Sequence, residues 1–98
     1  MALIEKAAGQ GHAYAMHALG SIYYAREERE HAVAWFTKGA VAGLPQAMYN
    51  LGSCLDQGQG MAAPDHPAAA DWYRRAADAG DGRAAMKLAR SAAVGPGR

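Results

Sequence analysis

Residues that favour strands are nearly missing from this chain. Across 98 positions the β-branched set is Ile4, Ile22, Val33, Thr37, Val41 and Val94, too few to build a sheet. Cysteine occurs once, as Cys54, which excludes an intrachain disulfide and a thiolate-rich metal site. No apolar run approaches the roughly 20 residues that a membrane-spanning helix needs. Glu5 and Lys6 interrupt the stretch in which a signal peptide would carry its apolar segment. Charge of one sign is missing as well: ten Lys and Arg against nine Asp and Glu leave a formal +1, so neither nucleic acid nor a membrane surface is expected as a partner. These absences lead us to expect a soluble protein in a reducing, cytoplasmic setting; a leader removed from a longer chain would place it instead in the periplasm or outside the cell.

What is present is alanine. Apolar residues make up 51% of the chain, and alanine accounts for 25 of the 98 positions, so the core must come from helices that approach closely. Alanine is the best helix former because ordering it costs no side-chain entropy. The expected class is all-α, in one domain of modest core.

The chain repeats itself. Ala15-x-x-x-Leu19-Gly20 recurs as Ala47-x-x-x-Leu51-Gly52 and again as Ala84-x-x-x-Leu88-Ala89; Ala32-x-x-Trp35-Phe36 recurs as Ala69-x-x-Trp72-Tyr73. Lys38-x-Ala40-x-x-Gly43 returns as Arg75-x-Ala77-x-x-Gly80, and the same ending stands at Lys6-x-Ala8-x-x-Gly11. The units run over 12–43 and 44–80, with a partial second helix at 1–11 and a partial first helix and tail at 81–98. Within a unit the apolar spacing is helical: Ala69, Trp72, Tyr73, Ala76 and Ala77 form one stripe, as do Met48, Leu51 and Leu55. Gly11, Gly43 and Gly80 fall where a helix end needs positive φ, Pro45 where a first turn tolerates a missing N–H, and Asp65 and Asp81 where an N-cap belongs. Gly20 and Gly52 lie inside helices, so each is expected to mark a backbone contact that a methyl group would obstruct. Trp35 and Trp72 are expected in equivalent, largely buried positions.

The pattern A-x-x-x-L-G-x-x-Y, G-x-G, D-x-x-x-A-x-x-W-Y-x-x-A-A-x-x-G resembles the Sel1-like repeat, a relative of the tetratricopeptide repeat. Leu19, Gly20, Tyr23, Leu51, Gly52, Gly58, Gly60, Asp65, Ala69, Trp72, Tyr73, Ala76, Ala77 and Gly80 carry the match. Departures are Leu55 for a tyrosine, Glu28 for an aspartate, and Leu3-Ile4 for an aromatic pair. The resemblance implies an α/α solenoid of antiparallel helix pairs whose members act mostly as adaptors, holding proteins or peptides on a concave surface.

Catalytic chemistry finds little support. His12 and His17 are five apart, about 140° around a helix, with no further ligand at metal spacing. Cys54 has no base beside it. Gly58-Gln59-Gly60 lacks the following Lys of a phosphate loop. Ser21, Ser53 and Ser91 are followed at the third position by Tyr24, Asp56 and Val94, so the Ser-x-x-Lys nucleophile is missing. Arg26 to Glu30 reads as a solvated turn. No catalytic residue, metal or cofactor is therefore assigned. The alternatives kept beside the adaptor are a hydrolase or cofactor-dependent enzyme using His17, Ser21 or Cys54 in the groove, and a module that assembles as a homodimer through its repeat ends.

Phase locates the expected partner surface. If Leu19, Leu51 and Leu88 point inward, the same offsets in each first helix bring out Tyr14, His17, Ser21, Tyr24 and Ala25; then Gln46, Tyr49, Ser53, Asp56 and Gln57; then Arg83, Met86, Arg90, Ala93 and Val94. Tyrosine, arginine and polar donors are suited to a half-wet interface with a protein or peptide. Tyr49 is expected at its centre, projecting away from the core.

Overall fold

The computed structural model describes residues 12–93, with side-chain surroundings up to residue 90. Five helices follow one another: α1 (Ala13–Ala25), α2 (Arg29–Val41), α3 (Pro45–Gln57), α4 (His66–Asp78) and α5 (Gly82–Ala93). Among the described residues there is no strand. Each helix packs principally on those before and after it in the chain, the nearest-neighbour arrangement of a solenoid. The expected partial helix at 1–11, with Leu3, Ile4 and Gly11, lies outside the described residues, as does Val94.

Local chemistry sets the helix ends. Gly43 and Gly80 have φ of 100° and 103°. Beside them Leu44 N donates to Gly39 O (3.1 Å) and Gly43 N to Ala40 O (3.0 Å), and Asp81 N donates to Ala76 O (2.9 Å) and Gly80 N to Ala77 O (3.0 Å). These paired bonds satisfy carbonyls that the helix leaves open. Asp65 Oδ1 accepts from Ala68 N at 3.1 Å, and Asp81 Oδ1 from Arg83 N and Ala84 N at 2.9 and 3.1 Å, so both act as N-caps. Glu28, which stands in place of the aspartate, makes no side-chain cap bond.

The core forms where the second helix of a unit presses its ring on the first. A Cβ on Gly20 would lie 2.7 Å from the Phe36 ring, and one on Gly52 would lie 2.8 Å from that of Tyr73. Both glycines are the close contacts expected of them. The buried aromatic in each unit is thus Phe36 or Tyr73, the first clustered with Ala47, Leu51 and Cys54 and the second with Ala69 and Ala76, while Leu19 is buried with Met16. This corrects the reading of the tryptophans. Trp35 and Trp72 are equivalent but only half-buried, each packed on a core cluster from its side with a cation one turn on: Lys38 Nζ lies 4.3 Å from the Trp35 ring centre, and the Arg75 guanidinium 4.8 Å from that of Trp72. One stripe cannot seat two adjacent large rings, and the glycine selects the second. Leu88 is also corrected. It is half-buried against the Ala69–Tyr73–Ala84 cluster, and the inward residue of α5 is Ala84.

The longer turn of the second unit touches the first. A Cβ on Gly60 would sit 2.9 Å from the Arg29 carbonyl and 3.0 Å from Glu30 N; the 58–65 segment therefore rests on the opening turn of α2.

Candidate functional site

The first helices α1, α3 and α5 share one face of the molecule, and α2 supplies its floor between the first two. A cleft of about 290 Å³ opens there, lined by Ser21, Tyr24 and Ala25 of α1, Phe36 of α2, and Asn50, Ser53, Cys54 and Gln57 of α3. Its apolar floor and polar walls fit one apolar side chain with a backbone running over it. Asn50 Nδ2 lies 2.8 Å from His17 Nε2, joining the two helices. Tyr73 OH donates to Ser53 Oγ at 3.2 Å, so Ser53 is held from behind.

Arg29 stacks on the Tyr24 wall of the cleft. Its guanidinium lies 3.8 Å from the Tyr24 ring centre, and its Nη1 donates to Tyr24 O at 2.9 Å, a carbonyl that also accepts from Glu27 N at the end of α1. Burial pushes the Cys54 thiol up, with the Arg29 charge pulling weakly the other way, so the thiol stays protonated and unreactive. Burial first, then the charge of Arg83, lowers the pKa of His17; its imidazole is neutral and its Nε2 faces Asn50.

Beside the cleft a second patch joins α3 to α5, lined by Tyr49, Arg83, Met86, Lys87 and Arg90. Arg83 lies 4.2 Å over the Tyr49 ring and pairs with Asp81 through Nη2 to Oδ2 at 3.1 Å. Burial pushes the Asp81 carboxyl up, but the hydrogen bonds from Arg83 and from the Ala84 and Arg83 amides, with the Arg83 charge, outweigh it and leave the group below its ordinary range.

The expected face is therefore only partly assembled as phase predicts. Ser21, Tyr24, Ala25, Ser53 and Gln57 meet in the cleft, and Tyr49, Arg83, Met86 and Arg90 meet in the patch. Gln46 lies apart, with Pro45 and Gly80 to Arg83, and Tyr14 stands 70% exposed. Two positions differ from expectation. Tyr49 is half-buried, tilted against Tyr73 at 5.6 Å between ring centres, so it belongs to core and surface together. Asp56 turns away from the cleft to meet His66 Nδ1 at 2.7 Å, because α4 begins within its reach. Arg29, Asn50 and Lys87 were missed. Asn50 sits one residue off the counted phase, and Arg29 reaches Tyr24 only because the tight turn at Glu27 reverses the chain, which periodicity does not report.

Among the described residues no helix is long and apolar enough to cross a membrane. A family model for the Sel1 repeat matches residues 13–44 and 45–81. The chain is 42% identical over 59 residues to chitin synthase regulatory factor 3 of Schizosaccharomyces pombe, a match covering 60% of this chain and 6% of that protein. It superimposes on the crystal structure of a Sel1 repeat protein from Oxalobacter formigenes with a TM-score of 0.84 at 33% identity, covering 89% of this chain and 68% of that one. A protective antigen present in uropathogenic Escherichia coli strains, displaying an SLR fold, aligns with a TM-score of 0.82 at 41% identity over 90% of this chain and 19% of its own.

Proposed function

This chain belongs to the Sel1 repeat family, and from that premise we propose that it is a non-catalytic adaptor that binds a protein or peptide on its first-helix face. The family is generally one of protein-interaction modules, and a relative named as a regulatory factor fits that role. The observation that carries the proposal is the cleft between α1 and α3, whose size suits one side chain and whose Ser21, Asn50, Ser53 and Gln57 offer hydrogen bonds to a backbone. An adaptor reading also suits Cys54 and His17, neither of which is activated for chemistry.

The test is a peptide taken from a displayed random library and mapped by NMR. We expect shifts to concentrate at Ser21, Tyr24, Asn50, Ser53 and Gln57. Ala25→Trp, a change at an exposed position on the cleft rim, should weaken binding by about 1–3 kcal/mol, as blocking an anchor pocket does, while leaving the melting temperature unchanged. Shifts confined to α2 and α4 would place the binding surface elsewhere.

A further inference from the structure

The balanced net charge conceals a separation. From Gly82 to the last residue the chain has no Asp or Glu, yet it holds Arg83, Lys87, Arg90 and Arg98, four of its ten basic residues. Arg83, Lys87 and Arg90 are spaced i, i+4, i+7, so they share one stripe of α5 about 10 Å long. That stripe borders the surface formed with Tyr49 and Met86. Aromatic rings hold two of the cations in place: Arg83 lies over Tyr49 at 4.2 Å and Lys87 Nζ is 5.8 Å from the Tyr73 ring centre. The Asp81 carboxylate that pairs with Arg83 is itself buried, with its side chain 6% exposed. Among the described residues neither Lys87 nor Arg90 has an acidic partner within 4 Å. Between the cations stands Met86, 67% exposed.

We propose that the α5 stripe reads an acidic stretch of the bound peptide, with Lys87 and Arg90 meeting Asp or Glu side chains while Met86 and Tyr49 contact an apolar residue between them. This deepens the adaptor reading and rests on it. A row of cations about 10 Å long is more than a single chain-terminal carboxylate can engage, whereas an extended strand presents alternate side chains to one face about every 7 Å. Duplex or single-stranded nucleic acid is less suited, because two unpaired cations, of which Lys87 shares a hollow with Asp56, neutralise few phosphates. The α1–α3 cleft lies about one helix spacing, roughly 10 Å, from the patch. A bound segment would thus carry its apolar anchor about three residues from its first acid.

The experiment is a selection of displayed random 12-residue peptides, whose C-termini are fused and so cannot serve as free carboxylates. It is run on the full chain and on a Lys87→Glu/Arg90→Glu variant whose helicity is checked by circular dichroism. Selected peptides from the unaltered chain should be enriched in Asp and Glu near an apolar residue, and the variant should shift the enrichment to Lys and Arg. A synthetic acidic peptide with an amidated C-terminus should bind at least about tenfold more tightly than its Asn/Gln counterpart, an advantage that shrinks with added salt. Enriched peptides without acidic bias, or a bias the variant leaves intact, overturn the stripe and spare the adaptor reading. Failure to enrich any peptide overturns both. Tighter binding of a single-stranded oligonucleotide, or loss of binding on amidating a free C-terminus, also overturns the acidic-stretch assignment. If the variant does not fold, Arg90→Gln alone, an exposed change, should reduce the acidic preference; an unchanged preference counts against the proposal.

Discussion

A single missing methyl group organises each unit. Gly52 admits the Tyr73 ring to the α3 backbone, so Gly52→Ala sets a gain in helix propensity of about 1 kcal/mol against overpacking of about 1–3 kcal/mol, and a net loss of up to about 2 kcal/mol is expected. Gly82→Ala is the control, since nothing lies within 4 Å of a Cβ there; urea midpoints should fall for the first and hold or rise for the second. His17 carries a pH dependence at the same scale. Its folded pKa lies below the ordinary 6.5 because of burial and then Arg83, so the unfolded chain binds more protons between those two values and the stabilisation is lost as pH falls from about 6.5 through the folded value. His17→Gln should flatten that limb when urea midpoints are compared between pH 7.5 and 5. An equal slope in the variant would assign the effect to other groups.

At the scale of the helix, the ends are more uniform than the sequence suggests. α1 finishes like α2 and α4, with Glu28 N donating to Tyr23 O at 2.9 Å and Glu27 N to Tyr24 O at 3.0 Å, and α3 shares the first of these two bonds, Gln59 N to Cys54 O at 2.9 Å. The left-handed position, however, is filled by Glu27 at φ 63°, where the other three helices have Gly43, Gly58 and Gly80. A side chain in that region costs about 1 kcal/mol. Glu27→Gly should therefore stabilise the chain by about 0.5–1 kcal/mol, read as a raised thermal midpoint; a lowered midpoint would mean that the carboxylate makes a contact worth more than the strain. The half-buried Trp72 belongs to this scale too. Sharing its ring with solvent and Arg75, it should cost less on truncation to alanine than the buried Tyr73, which fills the space above Gly52.

For the molecule as a whole, stability is a sum of neighbour contacts. α2, α3 and α4 are flanked on both sides among the described helices, whereas α1 and α5 are not, so amide exchange should be slowest in α2 to α4 and faster in α1 and α5. Uniform protection from α1 to α5 would indicate one cooperative block. The same layout separates the tasks of the two helix sets: second helices press rings into glycines, and first helices are left with a face free to meet another molecule.

Much of this was determined by the sequence alone. Alanine content, the shortage of β-branched residues and the recurrence of A-x-x-x-L-G with W-F and W-Y dictate paired helices, because period and propensity act locally and survive without knowledge of neighbours. Gly20 and Gly52 were legible for the same reason, as residues a helix would otherwise reject. Tertiary structure alone decided what depends on distance between elements. It chose Phe36 and Tyr73 over the tryptophans for the core, drew Asp56 towards His66 and Tyr49 under Arg83, and brought Arg29 across a turn to stack on Tyr24. Helical phase gives a direction around an axis; which neighbour stands in that direction, and how near, is set only when the helices pack.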